Sequence, residues 1–277
     1  MTLPEDRAAT VSAELKFLAD LSQPLVYVPS KGGGDQTEHQ GNFRTQRVEV
    51  HDARQALPAP GLDREGFVLV EQPSAVEDFY DDEALSSTYH GELADLIGSR
   101  TGAQRVEVFD DTRRSASIET QRERGIREPA NIVHNDYTAA SGPGRLADFF
   151  ADAPEEADAL RRRRFAIINA WRPINSPVYD QPLVLCDATT LADGDLVAME
   201  RRAEERIGEL QVALYNPGQR WYYYPRMTPG EVLLFKTYDS AEDGRTRFTP
   251  HSSFTDPGAP ADAPARESLE SRCLVFF

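Results

Sequence analysis

Asn131-Ile132-Val133-His134-Asn135-Asp136-Tyr137-Thr138 is the segment on which the fold of this chain is decided. It carries β-branched Ile132, Val133 and Thr138 and shows no helical period, which predicts a strand. Alternate residues of a strand project to the same side, so His134 and Asp136 are aimed together at whatever the strand covers. A histidine and a carboxylate so placed are two of the three ligands of a 2-His-1-carboxylate metal site. The spacing alone is weak: five histidines in a chain with 46 acidic residues yield about one such pair by chance. A second pair, His90-Gly91-Glu92, is indeed present. Leu93, Leu96 and Ile97 put that pair on a helix, where positions i and i+2 lie about 200° apart and cannot share one ion.

The chain has 277 residues and a formal net charge of -16, with the composition of an ordinary globular protein. That balance argues against a nucleic-acid partner or an anionic membrane surface, since neutralising phosphate needs clustered Lys and Arg. The one basic run, Arg161 to Arg164, follows Glu155, Glu156 and Asp158 and reads as a solvated helix end. Cys186 and Cys273 stand far apart in apolar runs, so core thiols are expected rather than a disulfide or a Cys-based zinc site. Met1 to Arg7 has no basic stretch leading into an apolar one, and no apolar run approaches about 18 residues. A cytoplasmic location is expected.

Working outward, leucines at 3- to 4-residue steps over 11–21 predict an amphipathic helix, and 25–28 a strand. Lys31-Gly32-Gly33-Gly34 lacks the closing Gly-Lys-Ser/Thr of a phosphate loop and reads as a turn. Strands are expected at 44–51, 66–71 and 105–109, with a helical region over 76–98 and an exposed polar excursion over 110–130. Beyond the His134 segment, a helical stretch to about 164 precedes buried strands at 165–171 and 183–186. A helix is expected over 190–206, then strands at 211–215, 221–224, 231–237 and 267–277. No linker or repeat divides the chain. A mainly β single domain, residues 1–277, with helices packed outside the sheet is the expectation. Core packing is expected of Trp171 and of the aromatic residues 221–224.

A third ligand must come from elsewhere. His251 is the remaining histidine of the strand-rich C-terminal half; His39 and His51 lie in polar surroundings near the N-terminus. In the last strand, Arg266, Ser268, Glu270 and Arg272 share a face by the period of two. Such a row suits a cavity that binds a carboxylate, which guanidinium matches bidentately, although it also suits an outward, solvated face.

His134-Asn135-Asp136, the distant His251 and Arg266-Glu267-Ser268 resemble the His-x-Asp…His…Arg-x-Ser order of the iron(II)/2-oxoglutarate-dependent oxygenases. More narrowly, the chain is similar to the natural-product group that includes the cephalosporin 7α-methoxylation protein and the gibberellin desaturase-like and aspergillic-acid-cluster hydroxylases. The similarity extends through Leu15-Lys16-Phe17-Leu18, Thr101-Gly102-Ala103, Val108-Phe109-Asp110, Asn169-Ala170-Trp171-Arg172-Pro173-Ile174, Leu185-Cys186-Asp187-Ala188, Glu231-Val232-Leu233-Leu234-Phe235-Lys236 and Thr249-Pro250-His251.

The resemblance implies a double-stranded β-helix, or jelly-roll, buttressed by helices. It implies Fe(II) on His134, Asp136 and His251, 2-oxoglutarate and O2 as cosubstrates, and Arg266 with Ser268 holding the far carboxylate of 2-oxoglutarate. Arg272, on the same strand face, is the alternative anchor. Tyr137, Arg172 and Lys236 become candidates for touching the substrate or supporting the ligands. The implied reaction is hydroxylation, desaturation or cyclisation at an unactivated C–H of a small natural-product or amino-acid-derived molecule. A non-catalytic jelly-roll accessory protein, an iron oxidase without 2-oxoglutarate and a zinc hydrolase are the alternatives.

Overall fold

A computed structural model describes residues 9–204 and 207–277. Met1 to Arg7, read above for a targeting signal, lies outside the described residues. The chain opens with β1 (Thr10–Asp20), β2 (Val26–Val28), β3 (Glu38–Gln40), β4 (Asn42–Asp52) and β5 (Phe67–Glu71). A helical run follows, in which α1 (Asp82–Ala84) passes through a π-type turn (Leu85–Tyr89) into α2 (His90–Thr101). Next come β6 (Arg105–Ser115), α3 (Ile118–Arg124), β7 (His134–Asn135), α4 (Ser141–Phe149) and α5 (Pro154–Arg161). The remainder holds β8 (Phe165–Pro173), β9 (Leu183–Cys186), β10 (Leu196–Arg202), β11 (Ile207–Ala213), β12 (Trp221–Tyr223), β13 (Glu231–Asp239), β14 (His251–Ser253) and β15 (Glu267–Phe276).

These strands form two sheets. The five-stranded sheet runs β5-β13-β8-β15-β6, and the ten-stranded one runs β1-β4-β12-β9-β14-β7-β11-β10-β2-β3. The smaller sheet is antiparallel throughout, and its strands β8 and β13 are buried on both faces. On its outer face Val70, Ile168, Leu234 and Val275 pack against Tyr89, Leu93, Leu96 and Ile97 of the helical run. Its inner face meets the larger sheet, where Trp171, Leu233 and Phe235 pack with Leu183 and Leu185 of β9. The expected strand-rich jelly-roll with helices on one side is thus what the chain forms. Both cysteines are free and buried, as expected. No helix among the described residues is long and apolar enough to cross a membrane.

Three segments depart from expectation. Residues 11–21 form β1, not a helix. Ala13, Leu15 and Phe17 are buried while Ser12 and Glu14 are exposed, and the strand pairs with β4 along its length. Both periods were present there, and the cross-strand partner selected the period of two. Within 190–206, β10 forms instead of a helix because it pairs with β11, overriding the helix propensity of its Met, Glu and Arg residues; the last two positions of that segment lie outside the described residues. The polar stretch 110–130 is exposed only in part, over most of α3. β6 continues through it to a fully buried Ser115, and Gln121 and Pro129 are buried as well.

Candidate metal centre

His134 and His251 are direct cross-strand partners at the junction of β7 and β14. Their rings lie 4.4 Å apart, centroid to centroid. β7 is laddered over only two residues, and Asp136 lies just past its end, yet the alternation persists and brings the carboxylate alongside His134. Oδ1 of Asp136 stands 3.6 Å from Nε2 of His134, and one ligand atom from each of His134, Asp136 and His251 falls within 4.8 Å of the others.

Both imidazoles are held the same way. Nδ1 of His134 bonds the carbonyl of Ile132 at 2.9 Å, and Nδ1 of His251 bonds that of Thr249 at 3.0 Å. A carbonyl only accepts, so each Nδ1 carries the proton and each Nε2 presents a lone pair to the common point. Burial, then the neighbouring His134, pushes His251 down to about 3, which keeps it neutral and able to ligate. The ring of Phe235, 4.7 Å away, backs His251 from the opposite sheet.

Asp136 is oriented through its other oxygen. Oδ2 accepts from Asn169 Nδ2 at 2.8 Å and from Arg272 Nε at 2.9 Å, leaving Oδ1 directed at the histidines. Burial raises the carboxyl, but the Arg272 guanidinium and the histidines outweigh it and hold Asp136 well below the usual carboxylate range. Asn135, fully buried between the two ligands, points the other way. Its amide donates to the carbonyls of Tyr137 and Thr237 and accepts from Thr249 N at 3.2 Å. One side chain therefore ties the His134 segment to β13 and to the approach to His251.

The polar row of β15 faces inward. Arg272 pairs with Asp136, Asp110 and Glu270 and also donates to Thr112 at 3.0 Å. Its guanidinium is consumed by these partners. Arg266 is different: it is 3 % exposed, donates Nη1 to the carbonyl of Gln181 at 2.6 Å, and lies 5.5 Å over the Trp171 ring. Its Nε and the Oγ of buried Ser268 have no hydrogen-bond partner among the described residues. Burial lowers the guanidinium to about 9, so it stays charged at neutral pH. Two adjacent orphaned polar groups, one cationic, match a carboxylate, because a buried donor left unpaired is costly.

Two expected residues are not brought to the site. Arg172 projects from the outer face of β8, donating to the carbonyl of Gln72 and lying 5.1 and 5.0 Å from the Phe79 and Tyr89 rings. Lys236, 1 % exposed, bonds Asp63 at 2.7 Å and Asp239 at 2.9 Å on that same outer side. Tyr137 packs at the sheet end with Phe165 and Tyr238, beside the centre. His90 bonds Asp111 at 2.7 Å, apart from the triad.

Tyr27, His39, Arg114 and Asn131, none of them an expected site residue, line a narrow recess leading to His134. His39 stacks on Tyr27 with centroids 5.4 Å apart. The aromatic–histidine pairing of β2 with β3 has no sequence signature, and Arg114 lay in the segment taken as exposed.

The family model described as "Oxidoreductase/YMDC permease-like domain" matches residues 15–276. The chain is 34 % identical to "Hydroxylase/desaturase efuI" of Hormonema carpetanum, with 85 % of each chain covered. It is 35 % identical to "Fe(II)/2-oxoglutarate-dependent dioxygenase nvfI" of Aspergillus novofumigatus, with 87 % of each covered. Among solved structures, the "iron and alpha-ketoglutarate-dependent endoperoxidase NvfI with different conformation" matches with a TM-score of 0.85 at 30 % identity, covering 98 % of this chain and 99 % of the other.

Proposed function

Since the chain belongs to the family of that model and to the iron(II)/2-oxoglutarate-dependent oxygenases, we propose that His134, Asp136 and His251 are its iron ligands and that Arg266 and Ser268 anchor 2-oxoglutarate. The observation that carries the cosubstrate assignment is the orphaned pair Arg266 Nε and Ser268 Oγ at the end of an otherwise satisfied inner row. Arg272 is assigned a different task, orienting Asp136, because its donors are already occupied.

When bound, Fe(II) with 2-oxoglutarate and O2 supplies the oxidising power that removes hydrogen from an unactivated C–H. The protein's own contribution is positional. The carbonyls of Ile132 and Thr249 fix the imidazole tautomers, Asn169 and Arg272 fix the carboxylate, and Phe235 excludes water from behind His251. An iron held by these three side chains alone would have positions open for the cosubstrate and oxygen. The substrate is taken to be a small natural-product or amino-acid-derived molecule entering by the recess beside His134, and the product arises by hydroxylation, desaturation or cyclisation. Residues 1–277 are read as one catalytic unit acting in the cytoplasm. A net charge of -16 supports the absence of nucleic-acid and membrane partners.

Anaerobic addition of Fe(II) and 2-oxoglutarate is expected to produce a weak visible charge-transfer band that His134→Ala abolishes. Demonstrably bound iron with no such band would sink the cosubstrate assignment and favour an oxidase that draws its electrons from the substrate.

A further inference from the structure

Arg114, the penultimate residue of β6, forms a parallel bridge with Arg127. Bridged residues project to the same side of the sheet, so two guanidinium groups stand next to one another, an arrangement that is destabilising without a counter-charge. The side is the inner one: Arg114 is registered opposite Ser268, in line with Thr112 opposite Glu270 and Asp110 opposite Arg272. Arg114 lines the recess that ends at His134.

Neither arginine makes an ion pair with a carboxylate among the described residues. Arg114 donates Nη1 to the backbone carbonyl of Glu128 at 2.8 Å, while the Glu128 carboxylate, on the lining of the same recess, is held by other groups. It accepts from Ser30 Oγ at 2.8 Å and from Thr37 N at 3.1 Å, pinning the loop that precedes β3. Arg127 makes no ion pair and no side-chain hydrogen bond among the described residues. Burial lowers its guanidinium below the usual value; Arg114, and more weakly Arg201 and Arg272, lower it further, while Tyr27 raises it. In a chain with 46 acidic residues against 30 basic ones, two bridged arginines without an ion pair, Arg114 on the recess wall and Arg127 beside it, are contrary to composition.

We infer that Arg114 and Arg127 form a carboxylate clamp, so that the substrate is a small molecule carrying a carboxylate that the clamp grips while the adjoining carbon skeleton lies toward His134. The inference rests on the oxygenase reading above and narrows its substrate class. Arg266 with Ser268 takes one anion and Arg114 with Arg127 the other, so three guanidinium groups meet two carboxylates along one wall. The aromatic face of Tyr27 and the ring of His39 supply an apolar side to the same recess.

The test uses the whole protein with Fe(II) and 2-oxoglutarate under anaerobic conditions, following the charge-transfer band during titration with cyclohexanecarboxylate and, separately, cyclohexanecarboxamide. The carboxylate is expected to bind at least about tenfold more tightly than the amide, the scale of hydrogen bonds to a charged group. Arg114→Gln and Arg127→Gln are each expected to reduce that preference to within about threefold with 2-oxoglutarate affinity retained, and Arg127→Lys to restore part of it. Equal binding of the two probes, or binding of neither, overturns the clamp. So does a weakened 2-oxoglutarate affinity with probe preference intact, which would give these arginines to the cosubstrate. Absence of the band in the unaltered protein would instead overturn the cosubstrate assignment, and direct calorimetry with the same two probes would then judge the clamp by the same criteria.

Discussion

Asn169→Ala removes one of the two groups that hold Oδ2 of Asp136 while leaving every metal ligand in place. The amide donates at 2.8 Å from a fully buried position on β8, and Arg272 remains as the other donor. A hydrogen bond to a charged group is worth about 1.5–3 kcal/mol. At about 1.4 kcal/mol per decade, its loss corresponds to roughly 10- to 100-fold in metal affinity, the range found when partners of metal-ligating groups are removed. The effect should fall on binding more than on folding. Thr237, whose hydroxyl faces Asn169 Oδ1 at 3.3 Å, keeps a second acceptor in the carbonyl of Ile167 at 3.3 Å. Mn(II) titrations by calorimetry in the presence of 2-oxoglutarate measure the loss, with Thr237→Val as a control expected to change affinity less than about threefold. A metal Kd in Asn169→Ala within twofold of the unaltered protein would refute the view that the outer oxygen of Asp136 has to be held for the inner one to ligate.

Arg266→Gln is expected to weaken 2-oxoglutarate binding by at least about tenfold, from the loss of a charge-assisted bond; equilibrium titration of the charge-transfer band checks this, and unchanged affinity would acquit Arg266. Burial raises the Asp239 carboxyl, but the Arg164 hydrogen bond and the Lys236 charge outweigh it and hold it low. A depressed folded value gives stability that is present above the ordinary carboxylate range, about 4, and is lost as pH falls through the folded value. The Tm advantage of the unaltered protein over Asp239→Asn should therefore be full at neutral pH and shrink below about pH 4, and an advantage that grows on acidification would contradict the ion pairs. Gly66→Ala should lower stability by about 2–5 kcal/mol, because φ is +97° and the new Cβ would meet Thr249 Oγ1 at 2.2 Å. Thr249 also supplies the carbonyl that orients His251, so metal affinity should fall with the urea midpoint.

Local chemistry was enough to select the His134 segment and to reject the His90 pair. The period of two, read on Asn131 to Thr138 and again on Arg266 to Arg272, depends only on backbone geometry. It put Asp136 beside His134 and turned the polar row of the last strand into one face before any partner was known. The family order of ligands likewise stands in the chain itself, as does the strand-rich second half. Pairing was a different matter. Residues 11–21 and 190–206 carry patterns that suit a helix, and only the presence of β4 and β11 makes them strands. The same applies to Arg266, just ahead of β15, and Arg272 within it. Arg266 and Arg272 are equivalent by period, and they part because Asp136, Asp110 and Glu270 converge on one and leave the other with an open Nε. Arg114 and Arg127, thirteen positions apart in a polar stretch, become neighbours through a single bridge. Periodicity states which way a side chain points; which charges meet it depends on strands brought together from distant parts of the chain.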